Sequence, residues 1–428
     1  MPNFDIVRRG GVILSFIIIL FFVASFWGAT LPGLYVHGQH LFVARLLLPI
    51  AWLAALWLLR DRDTRRNLIN NNWVRFALLW LAWAGISFFW AKDISQVGQH
   101  FIHLFFGLSL PLLMIPLSSE WREKLPFIWV GTAIVIIFIG AIQLVTANEF
   151  PPTGHWLSAV YGNENNFTMF ICLSIPFLYW YGVSKGYTQW CTKASRFLAL
   201  LSIPVGVVLI IMTNARLSYI GLAVLAILIP LLNFPQRKKT VNKRRWKHAG
   251  AAVLAVMLIA SVFGVLSVPG IKDKLKRQIV SIPKEIKTVI AIDSTSPRAR
   301  LTIEGIKMAI NSRGLGVGPG NFEWHIANKS ISGTPNPHNW WLELLAEYGL
   351  LVFIGYILIY IKLIISTFRR WKSDRYWPAG ATLAALLVFP ILAVAPSRLI
   401  WYSPHWLLLA LAVSISIPEK SRIPSIRA

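Results

Sequence analysis

A chain of 428 residues that is 56% hydrophobic, with 20 Trp, 25 Phe and a mean hydropathy of +0.59, carries more apolar surface than a soluble domain of that length can bury. It is predicted to be an integral membrane protein, in which each helical span needs roughly 20 apolar residues to cross a hydrocarbon core about 30 Å thick. The formal charge of +25 raises nucleic acid as a partner, but its distribution along the chain argues against that class.

In chain order, apolar runs at 11–30, 40–59, 73–90, 98–117, 125–147, 166–184, 197–212, 217–234, 250–268, 340–365, 380–396 and 401–417 predict about twelve spans. The first follows Arg8-Arg9 as a signal peptide would. It is long and lacks a small-residue cleavage site, so it is predicted to be retained. With the N-terminus inside, the short inner loops and termini hold 25 Lys and Arg, against Lys92, Arg216 and Arg398 in the short outer loops. By the positive-inside rule this puts both termini in the cytoplasm. The run QRKKTVNKRRWKH (236–248) is then an anchor beside anionic membrane lipids, and no nucleic-acid partner is expected. Cys172 lies in a span and Cys191 inside, so no disulfide is expected.

One segment departs from the pattern of short loops. Residues 269–338 form an outer stretch of about 70 residues, a length that is usually functional or disordered. Within it, IKDKLKRQIVSIPKEIKTVIAI (271–292) alternates cationic and aliphatic residues at helical spacing and is predicted to lie along the membrane interface. Ser296 is a predicted N-cap and Pro297 a first helical residue. A glycine-rich turn follows, RGLGVGPGNF, with Gly314, Gly316, Gly318 and Gly320. The expected organisation is nine spans over 1–268, an extracytoplasmic loop of interfacial and lid helices over 269–338, and three spans with a cytoplasmic tail over 339–428. The fold class is all-α, a polytopic helical bundle.

The chemistry-bearing residues cluster around that loop. His338 stands at the entrance to the tenth span, stiffened by Pro335 and Pro337. An imidazole titrating near neutrality can act as general base, although a histidine at a membrane interface also serves as a plain amphipathic residue. Asn339, Glu343 and Glu347 recur at i, i+4, i+8 and so share one helix face. Acids at that depth face the bundle interior or a wet cavity, or pair with arginines such as Arg45. Arg216, in the tight outer turn TNARLSY, and Arg298 and Arg300, at the start of the loop helix, suit bidentate binding of phosphate. The glycine turn reads either as a backbone nest for an anion or as tight packing. No CxxC, Walker A or GxSxG pattern is found, and the outside segments hold no DxD or HExxH, so no metal, nucleotide or other cofactor is expected.

Four stretches occur in a telling order: GNENNFTMFICLSIPF (162–177), TNARLSYIGL (213–222), RLTIEGIKMAI leading to GLGVGPGNF (300–322), and HNWWLELLAEYGLLVF (338–353). Together they resemble the O-antigen ligase and polymerase superfamily of bacterial membrane glycosyltransferases, with HNWWLELLAEYG nearest to the teichuronic-acid polymerase-like branch. The resemblance covers most of 160–355; the first five spans match in hydropathy alone.

It implies a GT-C-like bundle that takes a glycan from a polyprenyl diphosphate carrier and joins it, outside the cytoplasm and without a metal, to a glycan or lipid A-core acceptor. The family's loop histidine matches His338 and its outer-turn arginine matches Arg216. Its loop arginine best matches Arg300, with Glu304 standing where the family often has Trp; that departure leaves Arg298 as the alternative. On this resemblance His338 is the catalytic base, Arg216 with Arg300 or Arg298 binds diphosphate, and Asn339, Glu343 and Glu347 form a supporting polar face. A polymerase, a ligase and, in another class, a polysaccharide flippase or exporter are the readings to separate. Paired repeats and broken midplane helices, the usual marks of a transporter, are not found.

Overall fold

The computed structural model describes residues 2–27, 33–36, 39–146, 157–183, 192–213, 215–233, 297–327, 336–374, 376–394 and 398–417, together with isolated positions 276, 280 and 396. The predicted span 250–268, the basic run 236–248, the interfacial segment 271–292 apart from positions 276 and 280, and the cap Ser296 lie outside the described residues.

The described chain is a helical bundle. Its helices are α1 (Pro2–Trp27), α2 (Val43–Leu58), α3 (Arg62–Ile69), α4 (Asn72–Ile86), α5 (Ile94–Met114), α6 (Ser119–Val145), α7 (Glu164–Val183), α8 (Lys193–Met212) and α9 (Arg216–Asn233). They are followed by α10 (Pro297–Asn311), α11 (Phe322–Ile326), α12 (Trp340–Glu343), α13 (Gly349–Asp374), α14 (Trp377–Leu392) and α15 (Ser403–Ser416). A two-stranded antiparallel hairpin, β1 (Gly33–Val36) and β2 (Gln39–Phe42), joins α1 to α2 in the register Gly33 to Phe42. The second predicted span is therefore shortened: residues 40–42 are strand and the helix begins at Val43.

Among the described residues, six helices are long and apolar enough to cross a membrane, and five shorter apolar helices accompany them. Between them they account for every predicted run except 250–268. The run at 197–212, short on sequence alone, is a full helix of 20 residues because Thr192 caps it and accepts the Ser195 N–H. Asp61, Asn71 and Asp93 start α3, α4 and α5 in the same way, each side chain satisfying an N–H that the first turn leaves unpaired.

Large aliphatic and aromatic side chains such as Ile13, Phe16, Leu53, Leu79, Ile142 and Leu358 are exposed on the helix surfaces. Such a surface is costly in water and suits lipid, which agrees with a membrane protein. The interior is aromatic. Trp80, Trp340, Tyr356 and Trp406 are fully buried and pack edge-on or tilted at centroid distances from 5.7 to 6.3 Å. The helix that follows His338 is thus anchored in the middle of the bundle by its first aromatic residue.

Candidate functional site

Helix α12 does not run directly into α13. Leu344–Tyr348 form one π turn, closed by Gly349 at φ 80°. A π turn pairs each carbonyl one residue further along than an α-helix does and frees acceptors at that level. The glycine-rich turn uses them. The Val317 N–H donates to Ala346 O at 2.9 Å, and the Gly318 N–H to Glu347 O at 3.0 Å. In return Leu350 N–H donates to Gly314 O at 2.8 Å. A Cβ on Gly316 would stand 2.5 Å from Glu347 O, so only glycine allows this approach.

The turn packs backbone to backbone, as the packing reading expects, and its N–H groups also meet the carboxyl of the protein's own Glu347. That carboxyl accepts the N–H of Gly320 at 2.7 Å and of Phe322 at 3.4 Å. Asn321, between them, ties the turn to the α4–α5 connection: its Oδ1 accepts Lys92 N–H at 3.0 Å and Asp93 N–H at 2.7 Å.

Glu343 and Glu347 are 2% and 3% exposed, and His100 of α5 is 1% exposed. Glu347 Oε2 lies 3.8 Å from His100 Nδ1. The partner of this acidic face is not Arg45, which instead donates to Nε2 of His103 at 2.6 Å. The guanidinium whose charge reaches this face is that of Arg398, whose Nη1 donates to His100 Nε2 at 3.1 Å while Nη2 pairs with Glu323. Arg398 sits at φ 48° before a short 3-10 turn and lies over the Trp401 ring. Asn339 leaves the acidic face altogether. Its side chain turns back to cap α12, accepting Trp341 N–H at 3.0 Å and Leu342 N–H at 3.4 Å. The polar stripe is therefore a pair of acids with a capping residue above it.

His338 is half-buried and holds φ 44°, a left-handed conformation that costs a non-glycine residue about 1–2 kcal/mol. Its N–H donates to Asn336 Oδ1 at 2.9 Å. Strain of this kind collects at functional sites. The next residues dock on the end of α14: Trp340 N–H donates to Ala393 O at 3.0 Å, and Trp341 Nε1 to Pro390 O at 3.1 Å.

The same end of α14 receives the helix of Arg216. Leu392 packs against Gly221, where an added Cβ would be 2.7 Å from Leu392 Cδ2. Arg216 opens α9 about one and a half turns before that contact. The Tyr219 hydroxyl experiences the charges of both Arg216 and Glu164, so these three side chains are neighbours. The GNENN stretch and the TNARLSY turn thus meet at the start of α7 and α9. Burial holds the nearby Tyr161 hydroxyl well above its ordinary pKa, so that phenol stays protonated.

Helix α10 packs against α12 through Gly305 on Leu342, and beyond its end Gly314 lies against Leu350. In its first turn Arg298 is half-buried and Arg300 exposed. Leu301 buries into the same cluster as Leu342.

His100, Arg398, Glu323 and Glu164 belong to these clusters and were not singled out by sequence reasoning. Arg398 carried a signal, as one of three cations in the short outer loops. His100 carried none, because its partner lies 247 positions away.

Residues 197–357 match the O-antigen ligase family (Wzy_C). Over 95% of its length the chain is 23% identical to the teichuronic acid biosynthesis protein TuaE of Bacillus subtilis (strain 168), covering 85% of that protein. Both findings support the superfamily and the branch indicated by the four motifs. The matched family segment contains Arg216, Arg298, Arg300, His338, Glu343 and Glu347, and leaves out His100 and Arg398.

Proposed function

We propose that the protein is a polyprenyl-diphosphate-dependent glycosyltransferase that extends lipid-linked repeat units of a surface polysaccharide, akin to teichuronic acid, on the outer face of the bacterial cytoplasmic membrane. A role as a membrane glycosyltransferase in surface polysaccharide synthesis is supported by the family match and the relative together. The observation that carries the finer reading is the shared docking at the end of α14, where the helix entered by His338 and the helix opened by Arg216 both pack.

In this mechanism the donor's lipid tail lies against the exposed aliphatic face of the bundle, and its diphosphate sits between Arg216 and Arg300 or Arg298. Guanidinium groups remain charged and grip phosphate oxygens in pairs, each charge-assisted hydrogen bond being worth about 1.5–3 kcal/mol. His338 takes the proton of the acceptor hydroxyl as that oxygen attacks the anomeric carbon. The C–O bond to diphosphate breaks in the same displacement, which inverts the carbon, and the departing negative charge is held by the arginines. No metal is needed at the reacting carbon. Donor and acceptor are both lipid-linked glycans in this scheme. A ligase, passing finished glycan to a lipid A-core, would use the same groups.

The test is transfer by the purified protein in detergent, supplied with a defined polyprenyl diphosphate oligosaccharide and read by mass analysis. Lengthened product ending in polyprenyl diphosphate supports a polymerase, and product on lipid A supports a ligase. Absence of any covalent product would favour a flippase or exporter, since detergent abolishes vectorial transport but not bond formation. Wild-type turnover by a folded His338→Ala protein would overturn the assignment of the base.

A further inference from the structure

The cluster beneath the glycine turn is over-supplied with negative charge. Glu323, Glu343 and Glu347 gather around one guanidinium, that of Arg398. Two of these acids are almost wholly buried, where an uncompensated charge is very costly. The neighbouring Arg45 is engaged with His103 and faces the other ring of α5. Ligand atoms from His100, Glu343 and Glu347 all lie within 4.8 Å of one another. Two of the polar atoms in the cluster are buried without a hydrogen-bond partner: Oε1 of Glu343 and Nδ1 of His100. One imidazole and two carboxylates whose ligand atoms converge within one small buried volume, with three acids sharing one guanidinium, form a donor set that a divalent cation satisfies.

We propose that His100, Glu343 and Glu347 form a binding site for one divalent cation that fastens the 314–322 turn to the bundle. One imidazole nitrogen with two carboxylates suits an ion accepting mixed nitrogen and oxygen ligands, zinc or manganese, better than magnesium, which prefers oxygen and retains its waters. The ion balances the charge left by the three acids and Arg398. Its role is structural: its carboxylate ligands follow His338 by five and nine residues, and Glu347 already holds the N–H groups of Gly320 and Phe322.

Binding also moves a proton. Arg398 donates to His100 Nε2, so Nδ1 bears the ring proton in the arrangement described. Coordination at Nδ1 transfers that proton to Nε2, and Arg398 then withdraws onto its other partner, Glu323.

This inference does not depend on the glycosyl-transfer reading, and its experiment reads metal rather than transfer. Full-length protein in detergent is loaded with zinc or manganese, desalted, and assayed for bound metal and thermal unfolding with and without EDTA. The expected result is a single retained ion per chain, an unfolding midpoint lowered by EDTA and restored by the ion, and nitrogen coupling in the pulsed EPR spectrum of the manganese form. Glu343→Gln is expected to bind at least about tenfold more weakly, and His100→Gln to lose the nitrogen coupling; if one variant fails to fold, the other decides. Glu120→Gln, a carboxylate paired with Lys124 on the surface, is expected to bind normally. Absence of retained metal, with a midpoint indifferent to zinc, manganese and EDTA, overturns the proposal and assigns protons as the neutralising charge. Undiminished binding in both ligand variants overturns it equally, since the ion then lies elsewhere.

Discussion

Glu347 holds Gly320 by a hydrogen bond of 2.7 Å between a buried side chain and a backbone N–H 27 residues earlier. This side-chain contact reinforces the backbone bonds that join the glycine turn to the helix that His338 introduces. Glu347→Ala leaves the N–H groups of Gly320 and Phe322 buried without an acceptor, at about 1–3 kcal/mol each. A clear fall in the unfolding midpoint in detergent is expected, with loss of glycan transfer. Glu347→Gln keeps one acceptor oxygen and should fall between the two.

The glycines of the turn should not tolerate substitution equally with glycines elsewhere. Gly316 has φ 82° and a Cβ there meets backbone at 2.5 Å, whereas Gly162 has φ 63° with open space around it. Gly162→Ala is expected to cost only the left-handed penalty, about 1–2 kcal/mol. Gly316→Ala adds a clash that a backbone shift must relieve, and should prevent accumulation of folded protein or lower its midpoint far more. Side-by-side thermal scans check the difference.

Strain and chemistry at His338 separate in a pair of variants. His338→Gly removes both the left-handed penalty and the imidazole, while His338→Ala removes the imidazole alone. The glycine variant is expected to be more stable than the alanine variant by about 1–2 kcal/mol. Both should lose roughly 10² to 10⁴ in transfer rate, the range of general base assistance. Equal stability would show that the conformation at 338 relaxes.

Replacing Arg216 or Arg300 by lysine keeps the charge and removes the planar fork. Loss of one charge-assisted hydrogen bond, about 1.5–3 kcal/mol, corresponds to a fall in kcat/KM of about 10- to 100-fold, with the unfolding midpoint unchanged. Because Arg298 is half-buried and Arg300 exposed, a larger effect from Arg298→Lys would move the diphosphate contact to that residue.

The helices were legible because lipid-length apolar runs and capping residues are local signals. Even the short run before Arg216 became a full helix once Thr192 was counted as its cap. Local rules failed where the backbone leaves the regular helix. Spacing put Asn339, Glu343 and Glu347 on one face, but Asn339 turns back to cap and the π turn widens the helix below it, neither of which periodicity records. The acids had a visible need for a cationic partner, and Arg45 was a reasonable one. The guanidinium whose charge reaches them is that of Arg398, placed there only because the α14–α15 connection folds over α5. His100 was one histidine among many until the glycine turn brought Glu347 to it.

The stitching of residues 314–318 to the π turn has a kinetic consequence. Amides of Val317, Gly318 and Leu350 exchange protons with solvent only when both segments separate together, so their hydrogen-exchange rates should be slow and matched. Under the proposed function, a sugar chain is then expected to enter the site without peeling this turn away, with the turn as fixed masonry around which lipid and glycan pass.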